Sequence, residues 1–144
     1  MDEILIASDH AGFKLKKILI QQFQGKLKFD DLGAFSENSV DYPDYARKLS
    51  KKIDSNDYNL GVLICGSGIG MSIVANRFKN VRAALCMNNK MSMLARKHNN
   101  ANILVLGSRL ISEQEAIKCL LMFLKTNYEG GRHQARLDKL NVVE

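Results

Sequence analysis

The chain has 144 residues, 46% of them hydrophobic and 25% charged, enough for one domain with its own core and short of two. One proline, no tryptophan and no apolar run near the roughly 18 residues of a bilayer-spanning helix exclude a disordered linker and a membrane span. The net charge of +6 is spread over pairs such as Lys16-Lys17 and Lys51-Lys52 on helix-like stretches, with no recognisable nucleic-acid motif and no aromatic-studded basic surface.

Ile4-Leu5-Ile6-Ala7 is an apolar run that stops at Ser8-Asp9-His10, the pattern of a buried parallel strand ending in a polar loop. Helical spacing from Phe13 predicts a helix to about residue 24, then a strand over 26–32 and a turn-rich loop over 33–41. Pro43 fits the first turn of a helix ending near Ile53, with Asp41 as its expected cap. Residues 60–65 form another apolar run, closed by Gly66-Ser67-Gly68-Ile69-Gly70 and a further helical pattern. Strands are predicted over 82–86 and 102–106, helices over 90–97 and 113–125, and a short terminal helix after Gly130-Gly131. This alternation along residues 1–144 predicts a single α/β domain, a parallel sheet with helices on both faces. Ligands in such folds bind beyond the carboxyl ends of the strands. Asp9, His10, residues 65–70 and Arg109 all follow a strand directly; His98 and Asn99 precede one, so chain order does not place them at that rim.

The Gly66-x-Gly68-x-Gly70 spacing is neither the GxGxxG of dinucleotide folds nor a P-loop, and no acidic residue follows about 20 positions on. The loop instead offers main-chain N–H donors at a helix start, suited to an oxyanion or a phosphate. Cys65 ends the strand before it, where helix-start dipoles are expected to lower a thiol from its reference pKa of ~8.5. Cys86 and Cys119 read as core thiols. Three cysteines without a CxxC pair predict no disulfide framework, and the start lacks the basic flank of a signal peptide, so the expected setting is the cytoplasm. His10 and His98 stand beside Asp9 and Asn99 with no HxxxH, HxH or carboxylate cluster, so neither a metal nor a cofactor is expected. Arg132 and Arg136, at i and i+4, share a helical face and present guanidinium forks fit for a phosphate dianion.

Six segments in this order and spacing resemble the type B ribose-5-phosphate isomerases of the ribose/galactose isomerase family. They are Ser8-Asp9-His10-Ala11-Gly12, Asp41-Tyr42-Pro43, residues 64–70, His98-Asn99, Leu106-Gly107-Ser108-Arg109 and Tyr128-Glu129-Gly130-Gly131-Arg132-His133-Gln134. Ser67 stands where the family often has threonine, which keeps the hydroxyl; some members use glutamate as base, and here the cysteine is present. The resemblance implies a three-layer αβα sandwich on a five-stranded parallel sheet, Rossmann-like in kind. It also implies a homodimer, or a dimer of dimers, whose active sites draw residues from two subunits.

The implied reaction interconverts D-ribose 5-phosphate and D-ribulose 5-phosphate, a step of the non-oxidative pentose phosphate pathway, through a cis-enediolate. By that resemblance His98 opens the sugar ring and Asp9 assists at the hydroxyls. Cys65 is the base, with Ser67 hydrogen-bonded to its thiol. The loop of Gly66, Ser67, Gly68, Ile69 and Gly70 holds the oxyanion. His10, Arg132 and Arg136 hold phosphate, and Asn99 and Arg109 complete the sugar site. Isomerisation of allose 6-phosphate or galactose 6-phosphate is the nearest rival. The galactose system splits its catalytic residues between two different subunits, whereas this chain carries a full set. A non-catalytic sugar-phosphate-binding regulator would be expected to lack the base or the ring-opening histidine.

Overall fold

The computed structural model describes residues 3–143. Five strands, β1 (Glu3–Ser8), β2 (Lys28–Asp31), β3 (Gly61–Cys65), β4 (Ala83–Leu85) and β5 (Ile103–Gly107), form an all-parallel sheet of order β2-β1-β3-β5-β4. The helices are α1 (Phe13–Gln22), α2 (Tyr42–Asp54), α3 (Ile69–Ala75), α4 (Asn89–Asn99), α5 (Glu113–Lys125) and α6 (Arg132–Leu137).

Period-two alternation in the strands divides the core. Ile4, Ile6, Val62, Ile64, Leu104 and Leu106 point to the face covered by α1, α4 and α5, where they meet Leu15, Leu19, Ala95, Leu120 and Phe123. Leu5, Ala7, Leu63, Cys65, Ile103 and Val105 point to the opposite face, against Ala46, Leu49 and Ile53 of α2 and Met71 and Ala75 of α3. The expected αβα sandwich is therefore present, and each central strand is buried along its length. Leu104 is fully enclosed, so Leu104→Ala would cost ~2–5 kcal/mol in lost contacts and cavity. Among the described residues, no helix is long and apolar enough to cross a membrane.

Most predicted elements shift by a residue or two at their ends, and three local differences have a direct physical cause. Residues 26 and 27 do not start β2: their N–H groups bond back to the Phe23 carbonyl at 3.0 and 3.1 Å and finish the α1 turn. Asp41 takes the cap position of α2, yet its side chain makes no capping bond; the Asp41 carbonyl accepts from the Asp44 N–H at 3.2 Å. Helix α4 continues through His98 and Asn99 and stops at Asn100, which turns into the left-handed region (φ 46°).

Strand order reverses between β1 and β3, because β2 lies on one side of β1 and everything after α2 on the other. That crevice, at the carboxyl edge of the sheet, is the binding position of doubly wound folds.

Candidate active site

Cys65 and Asp9 face each other across the crevice, since Cys65 ends β3 and Asp9 follows β1. The Asp9 N–H bonds to the Ile64 carbonyl at 3.2 Å, and its carboxylate accepts the Gly12 N–H at 3.0 Å, which fixes the side chain. The ladder between β3 and β5 runs on past the strands: the Ser108 N–H reaches the Cys65 carbonyl at 2.8 Å and the Arg109 N–H the Gly66 carbonyl at 3.0 Å. A cavity of about 590 Å³ opens here, bounded by Asp9, Tyr42, Cys65, Gly66, Ser67, Ile69, Gly70, Ile73, Arg109 and Leu110. His10 accepts the Val40 N–H on Nδ1 at 3.1 Å, which leaves Nε2 as the N–H donor of the neutral ring.

The loop turns into α3 at Gly68, whose φ of 79° belongs to glycine and whose missing Cβ leaves room for Leu85. This turn directs the N–H groups of Ser67, Gly68 and Met71 toward the Cys65 sulfur. They pull the thiol pKa down, as expected from the sequence, but burial pushes it up more strongly and the Asp9 charge adds to the rise. Cys65 therefore lies above the ordinary thiol range, not below it. The reason is position: the residue is 4% exposed, packed with the α2/α3 face of the core. Cys86 and Cys119, without such donors, are pushed by burial to about 12. The Ser67 hydroxyl, expected on the thiol, instead accepts the Ile69 N–H at 3.2 Å; Ser67 acts on the sulfur through its main-chain N–H. The Ile69 N–H is thereby occupied.

The remaining residues gather elsewhere. Cys65 pairs with Gly107 at one end of the β3–β5 ladder and Gly61 with Ile103 at the other. Those four steps of ~3.3 Å separate the two edges by about 13 Å. Helix α4 runs back from the end of β4, so His98 and Asn99 reach the amino edge just before β5 begins. Arg132 and Arg136 on α6 line a cavity of about 300 Å³ with them, together with His133. Both arginines are exposed. In one chain, the sequence candidates thus form two half-sites, not one.

The second half-site is pinned by main chain. The Glu129 N–H bonds to the Lys97 carbonyl at 3.0 Å, and Gly130 and Gly131 (φ 68° and 57°) turn the chain into α6. The His98 and His133 rings stack with centroids 4.4 Å apart. His133 is buried, and burial first, then the neighbouring His98 and Arg132, hold its pKa below the usual imidazole value. Ligand atoms of His98, Glu129 and His133 lie within 4.8 Å of one another, a grouping that the sequence does not bring together. They come from segments about 30 residues apart in sequence, and only Glu129-x-x-x-His133 gave a local signal. Tyr42, Ile73 and Leu110 also line the Cys65 cavity without having been singled out as site residues.

A family model described as Ribose/Galactose Isomerase matches residues 4–140. The ribose-5-phosphate isomerase B of Escherichia coli is 36% identical over 145 residues, covering 100% of this chain and 97% of that protein. A crystal structure of a ribose 5-phosphate isomerase from Thermotoga maritima superposes with a TM-score of 0.95 at 50% identity, over 99% of each chain. The Mycoplasma genitalium ribose-5-phosphate isomerase B, solved with bound ribulose 5-phosphate, gives a TM-score of 0.91 at 47% identity over 96% of this chain and 93% of its own. The chain belongs to the ribose/galactose isomerase family.

Proposed function

We propose that the chain is a type B ribose-5-phosphate isomerase, a single cytoplasmic domain acting as a homodimer on D-ribose 5-phosphate and D-ribulose 5-phosphate. The observation that carries the reading is Cys65, set at the switch point beside Asp9 with three main-chain N–H groups directed at its sulfur. A thiolate formed there, its charge met by those N–H groups and its basicity raised by burial, is a base positioned for a carbon acid.

His98 protonates the ring oxygen of the furanose as the C1–oxygen bond breaks, the Asp9 carboxylate takes the C1 hydroxyl proton as the aldehyde forms, and Asn99 holds a hydroxyl. The Cys65 thiolate removes the C2 proton, giving the cis-enediolate, and the thiol returns it to C1 while a proton passes from the C2 hydroxyl to the C1 oxygen, which leaves the ketone at C2. The Gly66 and Gly70 N–H groups of the loop, with Arg109, stabilise the enediolate oxygens, while the Ser67 and Gly68 N–H groups serve the sulfur; such preorganised donors are the term on which this catalysis depends. His10, Arg132 and Arg136 hold the phosphate dianion.

Two subunits are required because a single chain sets its base and its ring-opening histidine on opposite edges of the sheet. A two-fold pairing brings the amino-edge half-site of one protomer over the Cys65 cavity of its partner, and vice versa. Ile69, Ile73 and Leu110 around that cavity are each 53% exposed, an apolar rim suited to a second copy. The three free thiols fit a reducing cytosol.

A coupled assay with ribose 5-phosphate, allose 6-phosphate and galactose 6-phosphate side by side, EDTA present, tests the substrate. The expected result is highest kcat/KM on ribose 5-phosphate. Preference for either six-carbon sugar would replace this reading with the hexose one.

A further inference from the structure

Lys16 and Lys17 are adjacent in sequence and opposite in placement. Lys17 is exposed on α1, whereas Lys16 is fully buried, its side chain 1% exposed. The Lys16 Nζ donates to the Asp31 carboxylate at 2.8 Å and to the Ala34 carbonyl. It also stands over the Phe13 and Phe35 rings, 5.5 and 5.0 Å from their centroids. Desolvation pushes its pKa below the ordinary lysine value, and the bond to Asp31 opposes the fall. An apolar side chain of similar volume would fill this place without desolvating a charge, so packing alone does not explain the ammonium.

The bonds around the pair lead to the substrate crevice. The Asp31 oxygen that meets Lys16 also accepts the Gly33 N–H at 2.9 Å. Gly33 and Ala34 extend the β1–β2 ladder: the Ser8 N–H reaches the Gly33 carbonyl and the Ala34 N–H the Ser8 carbonyl, both at 2.7 Å. Asp9 and His10 follow Ser8 directly. Lys16 thereby fastens the turn that grips the strand end bearing both residues. The same loop returns at Val40, whose N–H bonds to His10 Nδ1 at 3.1 Å, and residues 35–39 between the two anchors are exposed. Lys16 lines no part of the Cys65 cavity.

We propose that Lys16 is a positioning residue for phosphate binding: its buried ammonium clamps Asp31 and Ala34, holds the 31–40 loop against Ser8, and so sets the His10 imidazole as an Nε2–H donor. Lys16 touches neither the substrate nor the reacting atoms and acts through His10. The inference rests on the phosphate role of His10 given above.

The test separates positioning from stability. Lys16→Met combined with Asp31→Asn replaces the ion pair by neutral side chains, and chemical denaturation should show a folded chain close to wild type in stability, as exchanged buried pairs commonly are. KM for ribose 5-phosphate and the inhibition constant of inorganic phosphate should each rise about two- to tenfold, the worth of a weakened hydrogen bond, with kcat little changed. In a His10→Asn background the paired substitution should add nothing, because its effect passes through His10. Lys14→Ala breaks only the exposed 3.8 Å ion pair between the same helix and Glu37 of the loop, and should leave both constants unchanged. A folded double variant with wild-type constants overturns the inference, and so does a further rise in the His10→Asn background. An equal rise in Lys14→Ala would assign the effect to the loop as a whole and overturn the part given to the ammonium. Should the double variant not fold, Asp31→Asn alone, at a side chain 28% exposed, carries the test. A smaller rise in both constants is then expected, and no rise overturns the inference. Failure of the phosphate reading would show separately, as wild-type KM in His10→Asn, and would take this inference with it.

Discussion

The two edges of the sheet are equipped by different means. At the carboxyl edge the main chain does the work: the β3–β5 ladder continues through Ser108 and Arg109, and loop N–H groups converge on a buried sulfur. At the amino edge side chains do it: two exposed arginines and a stacked imidazole pair project from α4 and α6. The first arrangement suits proton transfer, which needs a dry, fixed base. The second suits capture of an anion arriving from water. In the dimeric reading each protomer lends its capture edge to the other's transfer edge.

The largest expected effect strikes the transfer edge. Cys65→Ala should lower kcat by about 10²–10⁴, the worth of a positioned acid–base group, while phosphate binding and fold persist. Cys86→Ala and Cys119→Ala should change stability only, because those thiols sit in the α1/α4/α5 face of the core with no donors directed at them. Wild-type kcat in Cys65→Ala would move the base to a nearby carboxylate, with Asp9 first.

Mixing breaks or secures the comparison directly. Cys65→Ala and His98→Asn chains, each inactive on ribose 5-phosphate alone, are unfolded together and refolded. If half-sites come from different protomers, half of the dimers are mixed and each holds one intact site, so about a quarter of wild-type activity returns. A site contained within one chain predicts no recovery. Erythrose 4-phosphate, which cannot close a furanose ring, should be spared by His98→Asn alone; equal losses on both sugars would give His98 another role.

The transfer edge was largely legible in the sequence because it is contiguous: a buried strand, a glycine loop and a helix start occupy residues 61–75. The five strands were legible for the same reason, as short apolar runs between turn formers. The sign of the Cys65 shift was not, because burial among Leu5, Leu63 and Met71 is a property of the packed core and no local pattern reports it. The capture edge was legible only as fragments. His98, Glu129 and His133 come together because the 126–131 segment bonds back onto the end of α4, through Arg96 to the Thr126 carbonyl at 3.4 Å and Glu129 to Lys97 at 3.0 Å. Such long-range pairing has no periodicity to reveal it.

A smaller effect is expected at the capture edge. Arg132→Ala or Arg136→Ala removes one charged hydrogen bond to phosphate, about 1.5–3 kcal/mol, so KM should rise roughly ten- to a hundred-fold with kcat little changed. Both residues are exposed, so stability should stay within about 0.5 kcal/mol. Unchanged KM in both variants would remove α6 from the substrate site.

The finest contrast is between the site thiol and the two core thiols, and pH resolves it. In the proposed mechanism only the Cys65 thiolate removes the C2 proton, and burial holds its pKa above the ordinary range. At neutral pH the thiol therefore dominates, and raising pH populates the active form. On its rising limb kcat/KM should climb about tenfold per pH unit and should not level off at the reference value of ~8.5. Alkylation of Cys65 by iodoacetamide should follow the same limb, slowed by ribose 5-phosphate. A plateau below pH 8 in both measurements would mean that the loop N–H groups, not burial, set this thiol. Stability runs the other way. Cys86 and Cys119, pushed to about 12 in the fold, contribute stability that is complete below the unfolded value of ~8.5 and is lost as pH rises toward 12. Replacing both by alanine should flatten the alkaline loss of stability in chemical denaturation while leaving the kinetic limb where it was. Movement of that limb would mean that the core thiols and the site thiol titrate as one system, and the contrast between them would fail.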